Sequence, residues 1–235
     1  HILANTIPNC VAYDPCFGYE LAVIVHDGLK RMYVNQERVF YYLTVMNENY
    51  EHPEMPQGVE EGIKRGMYQL EKDDKATVQL MGSGVILREV IKAAKILRDE
   101  YQIHSNVWSV TSFNELAREG MAVEEYNRLH PLEDGKEAWV SQQLRGTDGI
   151  VVSATDHMRA YSEQIRAYLP DSRPFVALGT DGYGRSDTRG NLRSYFGVDA
   201  AHIVVATLKK LADEGEVDAR LVKDAISSFE LDVDR

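Results

Sequence analysis

Short apolar runs, too brief for helices, alternate along this chain with longer segments whose apolar residues recur every three or four positions, and this alternation limits the fold more than any other feature. Residues 9–14 (NCVAYD), 39–45, 76–81, 107–111, 149–154 and 175–178 read as strands, rich in Val, Ile, Leu and aromatic side chains. Between them, Leu21, Ile24, Val25, Gly28, Leu29 and Met32 mark one buried helix face, and Ile86, Val90, Ala93, Ala94, Leu97 and Tyr101 another. A strand that returns only after a helix must pair in parallel, so the reading is α/β: a mostly parallel sheet with helices on both faces.

Local chemistry places the ends of these elements. Asp14-Pro15 reads as an N-cap with Pro at the first helical position. Ser112 and Glu115 form a capping-box pattern. One helix carries Met158, Tyr161, Ile165 and Leu169 and stops at Pro170, a short one spans 191–196, and Asp199 and Asp218 cap the last two. Residues 47–58 mix Asn, Pro, Gly and acids without periodicity and read as a linker, after which Pro56 opens a helix striped by Val59, Ile63, Met67 and Leu70. The resulting partition is 1–55, a linker helix over 56–75, and a second unit over 76–235.

The balance of 26 basic against 37 acidic residues, a formal charge of -11, repels phosphate backbones and anionic lipid, so neither nucleic acid nor a membrane is expected as partner. No apolar run reaches the length of a spanning helix. The start, HILANTIPNC, has neither an initiator Met nor a signal-like h-region and reads as the cut edge of a longer chain. Cys10 and Cys16 fit no metal or redox spacing; they read as buried small hydrophobes in a reducing compartment.

Few motifs speak of chemistry. Gly82-Ser83-Gly84, between a strand and a helix, is either a plain tight turn or an anion-binding turn; it is neither GxGxxG, P-loop nor nucleophile elbow. The loop GTDGYGRSD holds Asp181, Arg185, Ser186 and Asp187, where Arg185 can pair with either Asp181 or Asp187. Seven histidines show no metal-binding spacing, so no metal is expected, and the pairs His26-Asp27 and Asp156-His157 read as surface or satisfied residues. Acidic runs such as 48–54 and 230–234 read as solvated faces and caps.

Longer strings carry a resemblance. TIPNCVAYDPCFGYELAVIVHDGLKRMY, YYLTVMNENYEHPEMPQGVEEGIKRGMYQLE, VQLMGSGVILREV, SVTSFNELAREG and GTDGYGRSDTRGNLRSYFGVDA together resemble the C-terminal part of the homodimeric, bacterial-type pyruvate dehydrogenase component, in the transketolase superfamily. The resemblance implies that 1–55 is the closing strand–helix–strand of a pyrimidine-binding domain, and that 76–235 is a transketolase C-terminal-like domain. It implies a thiamine diphosphate and magnesium enzyme of the cytoplasm that decarboxylates pyruvate and passes the acetyl group to dihydrolipoyl acetyltransferase. The cofactor-binding parts would lie in a missing N-terminal region, so this chain alone is expected to bind no cofactor, to be inactive, and to serve dimerisation and scaffolding.

Within the resemblance, His1 stands where the last histidine of a Glu-Asp-Gly-x-x-His loop would, an active-site wall residue suited to donating or accepting a proton. Asn47, Glu48 and Asn49 lie where transketolases place an arginine that grips sugar phosphate, a substrate-channel position. No arginine occurs over 39–64, which favours pyruvate over a phosphorylated sugar. Two alternatives are a transketolase-like sugar-phosphate enzyme and a non-catalytic assembly module.

Overall fold

A computed structural model describes residues 1–233. Asp234, which closes the acidic run 230–234, and Arg235, the end of the 76–235 span, lie outside the described residues. The chain opens with a single helical turn, α1 (Ile2–Asn5). Strand β1 (Cys10–Tyr13), helix α2 (Gly18–Leu29) and strand β2 (Phe40–Leu43) then form a two-stranded parallel sheet in which Cys10 faces Phe40 and Tyr13 faces Leu43. A π-helical turn, Lys30–Val34, unwinds the end of α2.

The second sheet is five-stranded, in the order β3-β5-β4-β6-β7. Its strands are β3 (Met67–Glu71), β4 (Val78–Gly82), β5 (Ser105–Val110), β6 (Ile150–Ala154) and β7 (Phe175–Leu178), all parallel except the β3–β5 pair. The alternation of strand side chains splits the core into two layers. Val78, Leu80, Val107 and Val152 pack toward α4 (Leu87–Tyr101), α9 (Ala200–Asp213) and α10 (Ala219–Ser228). Met81, Trp108, Val110 and Val151 pack on the opposite face, toward α5 (Phe113–Leu129) and α6 (Trp139–Leu144). The mostly parallel sheet flanked by helices is thus present, with both faces covered.

Several boundaries differ from the sequence reading for identifiable reasons. The helix after Pro56 spans only Glu60–Arg65 (α3), and Met67 and Leu70 belong to β3. Gly66 takes φ +107, a left-handed cap that ends the helix, and an added Cβ there would lie 2.6 Å from the Ser112 carbonyl oxygen. The linker helix over 56–75 is therefore corrected to a short helix followed by an antiparallel edge strand. The helix expected around Met158–Leu169 is one turn, α7 (Ala160–Glu163), followed by 3₁₀ turns. Pro170 holds Leu169 extended, at ψ 141, and so denies the segment a regular end. Helix α8 (Arg189–Phe196) starts two residues earlier than expected because Thr188 caps it through the Asn191 N–H.

Asp14 is not the N-cap of α2. That helix begins at Gly18, and the Glu20 carboxylate satisfies its orphan donors, accepting from the Cys16 and Phe17 N–H groups at 2.6 and 2.9 Å. Glu20 is fully buried and also accepts from Ser109 Oγ on β5 and from the Tyr68 hydroxyl on β3. One carboxylate thus fastens the first α/β segment to the second sheet. Further ties run from the Asp14 N–H to the Thr111 carbonyl, from Ser112 Oγ to the Ala12 carbonyl, and from Arg118 to the Cys10 and Ile7 carbonyls.

Candidate functional site

In an open parallel sheet, ligands gather beyond the carboxyl ends of the strands, where successive connections leave in opposite directions. Here that place lies between β4, whose chain crosses to β5, and β6, whose chain crosses the other way to β7. The residues at those two strand ends are Gly82, Ser83 and Gly84 on one side, and Thr155, Asp156 and His157 on the other.

The crevice is filled from within the chain. Asp14, carried in from the end of β1, is 5% exposed and sets its carboxylate on the turn. Ser83 Oγ donates to Asp14 Oδ2 at 2.8 Å, Thr44 Oγ1 donates to Oδ1 at 2.6 Å, and the Gly84 N–H donates to the Asp14 main-chain oxygen at 2.9 Å. Because the Ser83 proton goes to the carboxylate, Thr155 donates to Ser83 across 2.9 Å. His157 Nε2 stands 3.3 Å from Asp14 Oδ2. Burial alone would raise the Asp14 carboxyl, but His157, Thr44 and Ser83 outweigh it and hold the group below its ordinary 3.8. Gly84 is at φ +49, and a Cβ there would sit 2.6 Å from the Asp14 carboxylate oxygens. Gly82-Ser83-Gly84 does receive an anion, then, but that anion is the protein's own Asp14. The reading of the turn as open to an outside ligand is corrected accordingly.

His1 packs into the same place. Its Nε2 lies 3.0 Å from Thr44 Oγ1, its carbonyl accepts from Asn114, and its ring contacts Tyr42, His157 and Tyr161 at centroid distances of 5.1, 4.6 and 4.9 Å. Together with Ile2, Phe40, Tyr42, Asp156 and His157 it lines a cavity of about 630 Å³. Asp156, caught between this cavity and its neighbour, has its carboxyl raised by burial.

Asn47, Glu48 and Asn49 do not share one environment. Glu48 is a node of ion pairs, with Arg193 at 2.7 Å, Arg88 at 3.0 Å and Arg189 at 3.7 Å, and despite partial burial these hold its carboxyl below the ordinary range. Asn47 Oδ1 accepts from Arg189 at 2.6 Å, and Asn49 is exposed. Arg185, Arg189 and Arg193 also line an adjoining cavity of about 290 Å³. Arginines absent from 39–64 are therefore supplied by the loop after β7 and by α8, although two of them, Arg189 and Arg193, pair with Glu48. Arg185 pairs with neither predicted acid: its guanidinium lies over the Tyr195 ring, while Asp181 binds Arg159 and Asp187 bonds Thr188 and Asn191.

Asp14, Thr44 and His157 escaped the sequence reading. Asp14 imitates a helix cap, and Asp156-His157 invites placement on a helix that does not reach them. The usable signal was position: Ser83 follows directly on the apolar strand β4, and His157 is the third residue past the apolar strand β6. The seven histidines show no metal spacing along the chain, yet folding brings one ring nitrogen each of His1 and His157 and one Asp14 oxygen to within 4.8 Å of one another.

A doubly wound α/β domain whose ligand crevice is plugged by a neighbouring segment is the class that fold and site define. The model of the transketolase-like C-terminal domain family matches residues 66–199, and that of the pyruvate dehydrogenase E1 component middle domain matches residues 1–53. The chain belongs to the transketolase-like C-terminal domain family. Over its whole length it is 52% identical to the pyruvate dehydrogenase E1 components of Pseudomonas aeruginosa and of Escherichia coli K12, of which it spans 27% and 26%. The resemblance drawn from the sequence strings is borne out, and the chain spans about a quarter of the length of these relatives. Transketolases from Campylobacter jejuni and Leishmania mexicana share the fold: both have TM-score 0.62, at 15% and 17% identity, over 88% and 90% of this chain and 27% of each of theirs.

Proposed function

We propose that this chain is the C-terminal portion of a thiamine diphosphate- and magnesium-dependent pyruvate dehydrogenase of the cytoplasm. The longer protein, a homodimer, decarboxylates pyruvate and delivers the acetyl group to dihydrolipoyl acetyltransferase. In this reading 1–55 completes a pyrimidine-binding domain, 56–75 links, and 76–235 is the C-terminal domain. The observation that carries it is identity of 52% along the entire chain to proteins named pyruvate dehydrogenase E1 component.

The cofactor's diphosphate finds no cradle at the glycine turn, because the Asp14 carboxylate already takes the Ser83 hydroxyl and fills the space over Gly84. Those residues do not fit the group, and its binding is assigned to the remaining three-quarters of the longer protein. What this chain supplies is a wall. Thr44 gives its one proton to Asp14 at 2.6 Å, so His1 Nε2 donates to Thr44 and the neutral ring keeps its lone pair at Nδ1. His1 thereby has a fixed tautomer and one nitrogen able to accept a proton at the cavity, with Asn47, Glu48 and Asn49 further along a channel.

Turnover of pyruvate by the longer protein, followed with an artificial electron acceptor in the presence of thiamine diphosphate and magnesium, tests the reading. Pyruvate turnover without transfer between sugar phosphates is expected; sugar-phosphate transfer without pyruvate turnover overturns it. His1→Gln in the same protein should lower kcat about 10²-fold or more, the scale of one acid–base group. Titrating the isolated 235-residue chain with thiamine diphosphate and magnesium should release no binding heat.

A further inference from the structure

Two imidazole nitrogens in the crevice are buried and poorly satisfied: Nδ1 of His1 makes no hydrogen bond, and Nε2 of His157 has only the Asp14 carboxylate beside it, at 3.3 Å. A buried polar nitrogen without a good partner is costly, and two of them beside a buried carboxylate can be satisfied by one shared partner. His1 Nδ1 carries a lone pair because Nε2 is committed as donor to Thr44. The Asp14 carboxylate is oriented by the hydroxyls of Thr44 and Ser83. Its second oxygen already draws His157 Nε2 to 3.3 Å. Two imidazoles and one carboxylate offer three ligand atoms to a single cation, and one nitrogen of each ring and one carboxylate oxygen already lie within 4.8 Å of one another.

We propose that His1, His157 and Asp14 form a divalent transition-metal site of the zinc type, with a fourth position open to the 630 Å³ cavity. The donor set selects the ion: imidazole suits zinc, whereas magnesium and calcium require several oxygens that these three residues do not offer. Bond lengths of about 2.0–2.1 Å put tetrahedral ligand atoms roughly 3.4 Å apart, so the site must contract by up to about 1.4 Å from the 4.8 Å limit. Ring rotation supplies this, since His1 and His157 meet edge-on with centroids 4.6 Å apart and His157 meets Tyr161 edge-on at 5.1 Å. The supporting contacts a metal site needs are in place: Thr44 fixes the His1 tautomer and, with Ser83, orients the carboxylate. The proposal stands on this geometry and not on the pyruvate reading; a zinc ion on His1 Nδ1 takes the place of the proton that this nitrogen otherwise accepts.

The test uses the longer protein, stripped with a chelator and titrated with Zn²⁺ alone. One zinc per chain is expected, with an X-ray absorption spectrum showing two imidazoles and a carboxylate oxygen. His157→Phe retains a ring against Tyr161 and removes the nitrogen; it should weaken zinc binding about tenfold or more and delete one imidazole from the spectrum. Asp14→Asn should weaken it in the same direction. His1→Phe is the second variant should His157→Phe fail to fold, which circular dichroism and a thermal melt report. Absence of stoichiometric zinc in the folded wild type overturns the site, as does zinc held with unchanged affinity and two imidazoles by His157→Phe. Because the readout is spectroscopic, a protein that binds zinc and ignores pyruvate overturns only the functional reading.

Discussion

Strand β4 lies between β5 and β6, with both faces covered and all five residues buried; among the described residues β2 pairs only with β1, and it leaves Phe40 and Tyr42 45% and 44% exposed. Both belong to strand–helix–strand units with parallel pairing. The β4 unit belongs to a sheet with two complete core layers, whereas the β1–β2 unit relies on Val11, Tyr13 and Ile24 packing against Ile63 and Tyr68 from the following segment. A two-stranded sheet is marginal on its own. The contrast teaches that the first unit is held to the second by a small shared apolar cluster together with polar ties, Glu20 and Asp14 above all, while the second is held by its own apolar burial.

Removing the strongest tie should therefore have the largest effect. Glu20→Ala strands the Ser109 hydroxyl and two backbone N–H groups in the interior and leaves the Tyr68 hydroxyl only its bond to Tyr19. It should cost about 3–9 kcal/mol, at roughly 1–3 kcal/mol for each of the three unsatisfied donors, in urea denaturation. Hydrogen exchange should locate the loss in β1, α2 and β2; uniform acceleration across β4 and β6 would break the comparison.

Leu80→Ala, in the core of the second sheet, should cost about 2–5 kcal/mol and lower protection throughout. Val11→Ala, in the smaller cluster, should cost about 1.5–3 kcal/mol and release mainly β1 and β2. Equal and global release by both variants would show that one cooperative core serves the whole chain. Gly66→Ala, at φ +107 where α3 must stop for β3 to begin, should cost about 1–3 kcal/mol in thermal unfolding. The smallest effect belongs to Asp199→Ala, which removes the cap on the His202 N–H and should cost about 1 kcal/mol, leaving β1–β2 exchange unchanged.

Legibility in the sequence follows the same division. Strands buried on both faces announce themselves as apolar runs, so β4, β5, β6 and β7 were readable, as were the caps at Ser112, Asp199 and Asp218. The edge strand β3 was not: Ile63, Met67 and Leu70 keep helical spacing across Gly66, and only the left-handed glycine reveals the break. The candidate site was legible only in part, through His1, Glu48 and the glycine turn. Its centre joins Asp14, Thr44, Ser83 and His157 from four separate segments, and a carboxylate that fills another segment's turn leaves no spacing pattern behind.

The account centres on that carboxylate, and a ¹³C NMR titration of Asp14 tests it most directly. A folded-state pKa below the unfolded value means that the group stabilises the fold above about pH 3.8, with the contribution lost as pH falls through the lower, folded value. The account predicts an Asp14 midpoint below 3.8, removed from the stability profile by Asp14→Asn, with β1 losing exchange protection as the carboxylate protonates. A midpoint at or above 3.8, with β1 protection indifferent to it, would contradict an Asp14 seated on the Gly82-Ser83-Gly84 turn.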